Sequence, residues 1–421
     1  MIEKAKIQIV RGRIMHLLSK WNRSEFLATP QLVRFDYANG SDGKEPTLLI
    51  KASTLALKYI VLGVRMQMVF AKVDGRLLYA LHIFDDVKQP ALLWSVAERD
   101  EEILAIRALL RGESCQFFLF NELAVSSAWR ESKLTVPVGD MESMLDGVLL
   151  GHVDYSAVKD RVHGVLDAVH LGSAPNGVVL VDAKNLDDWK IAQSTYITNR
   201  LENSTLELFD KDEGRQQENI GLWLADSLHP SGAHHSLQVP SGKAGGKQRR
   251  ELTDIALSYE YGSIFIESKA LSIFIRNELP SREKLAKDVS GHVKKAVAQL
   301  RGGIRKIQSG TPIMDKNGAP VEIERKNPVH AIVLIPEFDL VEDASLYGSG
   351  FIAEFMKATG GFLHLLDISE LLRLVQAAQM HSERSEILTP MMAFDYYLME
   401  RAKKSRATGT LCFEMLFRFA D

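Results

Sequence analysis

Two apolar alternating runs follow one another in 252-LTDIALSYEYGSIFIESKA-270, separated by a short turn at residues 260–262. The alternation predicts two β-strands, and the turn, which contains a glycine, predicts that they pair as neighbours. Asp254 opens the first run, whereas Glu267 and Lys269 close the second. If the runs pair, two carboxylates and one ammonium group meet at one edge of a sheet. Carboxylate oxygens are the ligands that a hard divalent cation prefers.

The composition indicates a folded protein of two or three domains. The chain has 421 residues, 46% hydrophobic and 25% charged, and is too long for one ordinary domain. Its two cysteines, Cys115 and Cys412, supply neither a disulfide framework nor a zinc quartet, which fits a reducing compartment. The sequence shows no secretory signal and no apolar run long enough for a membrane span. We therefore expect a cytoplasmic protein with no membrane partner.

Charge is distributed unevenly along the chain. Residues 240–310 contain fourteen Lys and Arg against seven Asp and Glu, whereas the whole chain has a net charge of −3. The basic excess therefore surrounds Asp254 and Glu267. This arrangement suits a site that draws a polyanion towards a metal ion, although a solvated lysine-rich helix has the same composition.

The first half of the chain is predicted to contain two regions. Residues 1–140 are expected to form a β-rich α+β domain, in which a hairpin at 64–84 turns at Asp74-Gly75. Residues 141–213 are expected to connect the domains through a helix at 155–171, a strand at 177–185 and a second helix at 186–203. No catalytic constellation is evident in the first domain. We assign it to target recognition, regulation or docking of a protein partner.

The chain from residue 214 onward has the predicted order α-β-β-β-α-β-α-β-α. The strands are expected at 234–240, 252–259, 263–270, 328–336 and the start of 362–380. The helices are expected at 215–228, 282–307, 351–361 and the remainder of 362–380, where Asp367 or Ser369 caps the helix.

This order, together with Asp254, Glu267 and Lys269, resembles the PD-(D/E)xK nuclease superfamily over about residues 214–385. In that family an aspartate begins the second core strand, and an acid-x-lysine triplet ends the third. The resemblance implies an α/β protein in which residues 214–421 form a restriction-endonuclease-like mixed sheet flanked by helices, with a helical C-terminal extension.

The resemblance also implies roles for single residues. Glu218 matches a catalytic glutamate of the preceding helix, and Gln299 matches a glutamine of the helix after the triplet. The carboxylates of Asp254 and Glu267 and the backbone carbonyl of Ser268 are the implied ligands of Mg²⁺ or Mn²⁺.

The implied reaction is hydrolysis of a phosphodiester bond that leaves a 5′-phosphate. Lys269 lies two residues from Glu267, so both side chains share one strand face, and the lysine is expected to orient the attacking water. Thr253 stands where many members of the family have proline. DNA is the expected substrate and antiphage defence the expected setting. An RNA nuclease and a binding or partner-docking protein of the same fold without catalysis are the alternatives.

Phosphate contacts are expected from the basic loop 240–250 and from the helix 282–307, because basic side chains there would bind a backbone without regard to sequence. The candidates are Lys243, Lys247, Arg249, Arg250, Lys284, Lys287, Lys294, Lys295, Arg301 and Arg305. A homodimer is also expected, since cutting both strands of a duplex symmetrically requires two active sites.

A second acid-x-lysine triplet occurs in 178-VVLVDAK-184. Its upstream acid, Asp167, falls in a predicted helix, so no hairpin brings it to Asp182 and Lys184. The triplet at Glu267 is therefore the stronger candidate.

Overall fold

The computed structural model describes Leu18 and residues 20–40, 43–86, 90–196, 204–240 and 249–417. The chain divides into two compact units. Unit 1 comprises the chain as far as Ser194 together with Glu207–Phe209, and unit 2 comprises Thr195–Leu206 and the chain from Asp210 onward. Each unit contains helices and a sheet that mixes parallel and antiparallel strands, so the predicted α/β class is confirmed.

Unit 1 is built on a nine-stranded sheet of order β1-β2-β6-β7-β8-β3-β4-β5, with β9 beside β7. The β2–β6 pair is parallel and the other pairs are antiparallel. The strands are β1 Leu32–Asn39, β2 Lys44–Lys51, β3 Met66–Val73, β4 Arg76–Ile83, β5 Ala91–Val96, β6 Cys115–Phe120, β7 Ser126–Leu134, β8 Val179–Asn185 and β9 Lys190–Ile191.

The predicted hairpin at 64–84 is confirmed as β3 and β4. Asp74 and Gly75 both have positive φ, 52° and 74°, as a two-residue turn between right-twisted strands requires. The helices of this part of the chain are α1 Lys20–Ala28, α2 Thr54–Val61, α3 Asp100–Leu110, α4 Val138–Leu145 and α5 Tyr155–His170.

Most of the predicted connecting region 141–213 lies within unit 1, where β8 is an interior strand between β7 and β3. The helix predicted at 186–203 is wrong for its described residues. They form β9, which pairs with Ala128 and Trp129 of β7, and β10 (Gln193–Tyr196), which pairs with β11 (Ser204–Glu207). Residues 197–203 lie outside the described residues.

A buried ionic network lies in unit 1. The guanidinium of Arg34 is fully buried, and its Nη1 is 2.7 Å from Oε1 of Glu102, which is also fully buried. Nη2 of Arg34 contacts Glu25. Burial raises the pKa of Glu102, and Arg34 opposes that rise. Each of these buried charges therefore depends on its partner.

Unit 2 is built on a five-stranded sheet of order β12-β13-β14-β15-β16. Strand β13 is antiparallel to its neighbours β12 and β14, and β14, β15 and β16 are parallel. The strands are β12 Gly232–Pro240, β13 Arg249–Tyr259, β14 Gly262–Ser268, β15 His330–Ile335 and β16 Phe362–Asp367.

The α-helices described around this sheet are α6 Glu213–Asp226, α7 Arg282–Gln308, α8 Ser349–Thr359, α9 Ile368–Glu383 and α10 Pro390–Thr408. The side chain of Asp367 accepts a hydrogen bond from the backbone N–H of Glu370. Of the two predicted caps of α9, Asp367 is therefore the one observed. No helix in the described ranges is long and apolar enough to cross a membrane.

Candidate functional site

The β13–β14 hairpin brings the predicted acidic residues together. Its register pairs Ile255 with Ile266, so the next position towards the sheet edge sets Asp254 beside Glu267. The backbone N–H of Ser268 donates to Oδ2 of Asp254 at 2.6 Å. This bond fixes the aspartate against the end of the neighbouring strand.

Lys269 follows β14, and its ammonium group contacts both carboxylates. Nζ is 2.5 Å from Oε1 of Glu267 and 3.7 Å from Oδ2 of Asp254. The backbone N–H of Lys269 donates to the carbonyl of Leu334 on β15 at 2.9 Å, so the chain is held in place beyond the strand end. The structure thus brings Asp254, Glu267 and Lys269 into one cluster, which we call the acidic cluster.

Burial alters the proton affinity of the acidic cluster. Asp254 is 4% exposed and Glu267 is 0% exposed. Burial raises the pKa of Asp254 to about 6, and burial together with the repulsion of Asp254 raises the pKa of Glu267 to about 8. Burial alone would lower the pKa of Lys269, but the two carboxylates outweigh it and raise that pKa. A divalent cation would favour the ionised carboxylates.

The donor atoms of the acidic cluster suit a small, hard cation. Oε2 of Glu267 and Oγ of Ser268 are shielded from solvent without a hydrogen-bond partner in the described structure. Within that same part of the chain, no group of three or more His, Cys, Asp or Glu residues could hold a metal ion. The acidic cluster itself contains two carboxylates, those of Asp254 and Glu267. Such a set fits Mg²⁺, which keeps several waters and uses one or two carboxylates, better than zinc.

Helix α6 packs closely on the sheet and carries Glu218 towards the cluster. A Cβ on Gly221 would lie 3.1 Å from Cδ1 of Ile255, so glycine permits the close approach. Oε2 of Glu218 is 3.0 Å from Nε2 of His235 on β12. Burial is the main cause of the raised pKa of Asp254, and the negative charge of Glu218 raises that pKa further. Glu218 is thus near the acidic cluster, and its hydrogen bond is with His235.

Helix α7 packs on β13 two residues before the acidic pair begins. Leu252, the contact residue, lies where the pairing of β13 with β12 shifts register between Leu237 and Gln238. A Cβ on Gly303 of α7 would lie 3.0 Å from Cδ1 of Leu252. Gln299 is half-buried on this helix, and among the described contacts it forms no hydrogen bond with the acidic cluster.

His292 of α7 lies within the electrostatic influence of Lys269 and was missed by the sequence analysis. Burial lowers its pKa, Asp288 opposes that effect, and the charges of Lys295, Lys269 and Arg276 lower the pKa further. The available sequence signal was the three-residue spacing of His292 and Lys295, which places both on one helical face. That spacing is too common to single out a functional residue.

The basic residues expected to contact phosphate fall into distinct groups. Lys243 and Lys247 lie outside the described residues. Arg249 and Arg250 begin β13 and are exposed. Lys294 and Lys295 are exposed on α7, and within the described structure neither forms an ion pair.

Other basic side chains of α7 are engaged with protein groups. Nη2 of Arg301 is 2.5 Å from Oε1 of Glu354, which links α7 to α8. The remaining pairs are Lys284 with Asp288 at 3.1 Å, Lys287 with Glu283 at 2.5 Å and Arg305 with the carbonyl of Ala358 at 3.2 Å. These contacts reduce the number of cations that point freely to solvent.

The second acid-x-lysine triplet has different surroundings. Asp182 accepts from Nη2 of Arg65 at 2.8 Å and from Nε2 of Gln67 at 3.1 Å, on the exposed surface of the unit 1 sheet. Lys184 pairs in register with Lys133 of β7. Asp182 is therefore part of a surface ion pair, and the contacts described for it include no second carboxylate.

Comparison of the chain with protein-family models, curated proteins and solved structures gives no significant match in any of the three. The functional argument therefore depends on the geometry and chemistry of the acidic cluster.

Proposed function

We propose that unit 2 is a metal-dependent nuclease of the restriction-endonuclease-like fold that hydrolyses phosphodiester bonds in nucleic acid. The observation that carries this proposal is the position of the Lys269 ammonium, 2.5 Å from Glu267 and 3.7 Å from Asp254. Two buried carboxylates beside a cation combine a metal-binding group with a group that stabilises anions, and phosphodiester hydrolysis uses both.

The strand order supports the proposal. Asp254 lies on the second strand of the five-stranded sheet and Glu267 near the end of the third. An antiparallel hairpin precedes two parallel strands, while α6 comes before the sheet and α7 follows β14. The order of these elements and the position of Glu267 support the resemblance, whereas Asp254 lies in the middle of β13 and not at its start.

Each residue of the acidic cluster has a role that its surroundings allow. Asp254, Glu267 and the carbonyl of Ser268 would hold Mg²⁺ or Mn²⁺. Such an ion, when bound, supplies Lewis acidity and a water of lowered pKa. Lys269 keeps its proton because two carboxylates flank it. It can therefore donate to the attacking water or to a phosphate oxygen as negative charge develops.

DNA is the proposed substrate, and RNA is the alternative because phosphate contacts serve both. The exposed side chains of Arg249, Arg250, Lys294 and Lys295 are the proposed backbone contacts. We further propose a cytoplasmic protein that acts as a homodimer, with a protein partner bound through residues 1–140 and a role in antiphage defence.

The test compares two lysines that follow similar apolar strands. Supercoiled plasmid and a structured RNA are incubated with the full chain and Mg²⁺ or Mn²⁺. Lys269→Ala should reduce cleavage by roughly 10²–10³-fold, the loss typical of a removed oxyanion donor. Lys184→Ala, in the second triplet, should cleave like the unchanged protein. Cleavage that survives Lys269→Ala would remove the catalytic assignment.

A nuclease-fold binding protein without catalysis is the second candidate. It is favoured by the internal pairing of the cluster, since Oε1 of Glu267 already accepts from Lys269 and Oδ2 of Asp254 from Ser268. Nucleic acid that is bound but not cut with either metal would support this candidate over the nuclease.

A further inference from the structure

One face of α7 carries a second set of polar groups. Asp288, His292 and Lys295 are spaced four and three residues apart on α7, so they lie along one face. Nη2 of Arg276, in the segment between β14 and α7, is 2.7 Å from Oδ2 of Asp288. Lys284 binds the other oxygen of that carboxylate at 3.1 Å. Asp288 is therefore already neutralised by two cations.

The imidazole of His292 has a ring nitrogen without a hydrogen-bond partner. Its Nδ1 is shielded from solvent and has no partner among the described atoms. The ring is half-buried, and Nε2 is not among the shielded unpaired atoms. The accessible edge of the imidazole is therefore the one that bears Nε2.

The electrostatic surroundings keep the imidazole of His292 neutral. Burial and the charges of Lys295, Lys269 and Arg276 lower its pKa, and Asp288 offsets only part of that effect. A neutral imidazole has one N–H donor. Because a proton on the shielded Nδ1 would be left unpaired there, the N–H is better placed on Nε2, where it faces outward.

We infer that His292 donates a hydrogen bond from Nε2 to a phosphate oxygen of the bound nucleic acid, with Lys295 as the adjacent cationic contact on the same helical face. This inference rests on the proposed function and specifies how α7 holds the strand against the acidic cluster. The ligand class is an anionic phosphodiester, because the groups around His292 are cations together with one neutralised carboxylate.

A neutral donor suits this position better than another cation. Lys269 already supplies positive charge beside Asp254 and Glu267, and a further charge at His292 would oppose a divalent cation at the carboxylates. An uncharged N–H binds an anionic oxygen without that repulsion, and a hydrogen bond to a charged group is stronger than one between neutral groups.

The test uses His292→Ala, which removes the donor, and His292→Gln, which keeps an N–H donor at a similar reach. Gln308→Ala is the matched control, because it removes an exposed N–H donor from the far end of the same helix. That side chain donates to the carbonyl of Thr359 at 2.6 Å, so it is already engaged within the protein.

Binding of fluorescein-labelled duplex DNA is measured by anisotropy with and without Ca²⁺, and cleavage is measured with Mn²⁺. The Mn²⁺-dependent rise in melting temperature reports on the acidic cluster by itself. His292→Ala should weaken DNA binding by about tenfold or more, while His292→Gln and Gln308→Ala stay near the unchanged protein. All three should keep the Mn²⁺-dependent thermal shift.

The outcomes separate this inference from the nuclease proposal. If His292→Ala binds and cleaves DNA normally, the inference fails while the nuclease proposal stands. If DNA is bound through His292 but never cut, the phosphate contact stands and the catalytic proposal fails. If the unchanged protein does not bind DNA at all, the inference fails as well.

Discussion

Glu267 and Lys269 form an ion pair in which the glutamate is buried, the lysine is partly exposed and the two carboxylate oxygens differ. Oε1 is 2.5 Å from the lysine Nζ, whereas Oε2 is shielded and has no partner in the described structure. A buried acceptor without a partner is destabilising. A ligand that reaches Oε2 would remove this penalty, and a divalent cation shared with Asp254 has the required charge.

Replacing either carboxylate of the cluster should strongly weaken metal binding. We expect Mn²⁺ to raise the melting temperature of the unchanged protein, with a stabilisation of about 2.7 kcal/mol when the free ion exceeds Kd by about a hundredfold. Glu267→Gln and Asp254→Asn should lose most of this shift. Glu218→Gln should retain it, because Glu218 is hydrogen-bonded to His235. A full shift in Glu267→Gln, measured by scanning calorimetry, would argue against the site.

The metal-free protein should lose stability as pH rises through the raised pKa values of Asp254, about 6, and Glu267, about 8. A carboxyl group whose pKa is raised on folding binds its proton more tightly in the folded state. The contribution of this group to stability is therefore complete below its pKa in the unfolded chain, and it is lost above its pKa in the folded protein.

The free energy of unfolding is measured by urea titration from about pH 5 to about pH 9. Because glutamine mimics the protonated acid, the slope with pH should be shallower in Glu267→Gln than in the unchanged protein. The stabilisation by added Mn²⁺ should increase over the same range, since the ion binds the ionised carboxylates. Equal slopes in the two proteins would contradict the raised pKa of Glu267.

Two glycines of α7 should respond oppositely to alanine. A Cβ at Gly303 would lie 3.0 Å from Cδ1 and 3.2 Å from the backbone oxygen of Leu252, whereas a Cβ at Gly291 meets nothing within 4 Å. Gly303→Ala should destabilise by about 1–3 kcal/mol through overpacking. Gly291→Ala should stabilise by up to about 1 kcal/mol through helix propensity. Urea unfolding midpoints measure both, and stabilisation by Gly303→Ala would show that α7 can move away from β13.

Unit 1 should depend strongly on the buried pair of Arg34 and Glu102. Glu102→Ala removes the fully buried carboxylate 2.7 Å from Nη1 of Arg34, while Glu25 remains at Nη2, and should destabilise by about 3–5 kcal/mol. Glu101→Ala is the control, because Glu101 is exposed in the same first turn of α3. Thermal unfolding followed by circular dichroism compares them. Similar melting temperatures for the two variants would count against this role of the pair.

Binding of DNA should distinguish Lys295 from Arg301. Lys295 is exposed, so Lys295→Ala should weaken binding and reduce the salt dependence of the affinity by about one phosphate contact. Arg301 is paired with Glu354, so Arg301→Ala should leave that slope nearly unchanged. The slope of log Kd against log salt concentration, from anisotropy titrations, is the measurement. A larger change in Arg301→Ala would assign the phosphate contact to Arg301.

Local patterns predicted much of unit 2. The helix expected at 282–307 is observed as Arg282–Gln308, where the Ser281 side chain accepts from the backbone N–H of Lys284. The strand expected at 328–336 is observed as His330–Ile335. Such elements are readable because caps, turns and apolar periodicity act over a few residues.

Patterns of the same kind failed where a distant segment decides the structure. The helix expected at 186–203 is replaced, in its described part, by short strands. One of them, β9, pairs with β7, which lies about sixty residues earlier in the chain. Tertiary pairing overrides local propensity in such segments.

The sequence by itself determined the spacing of Glu267 and Lys269 and the hairpin that sets Asp254 beside them, because strand alternation and a short turn are local properties. Only the tertiary structure decided which other groups share that neighbourhood. It placed His292 within the electrostatic influence of Lys269, paired Glu218 with His235 and joined Arg301 to Glu354. These relationships depend on how helices pack on the sheet, and helix packing is fixed by contacts between residues far apart in the chain.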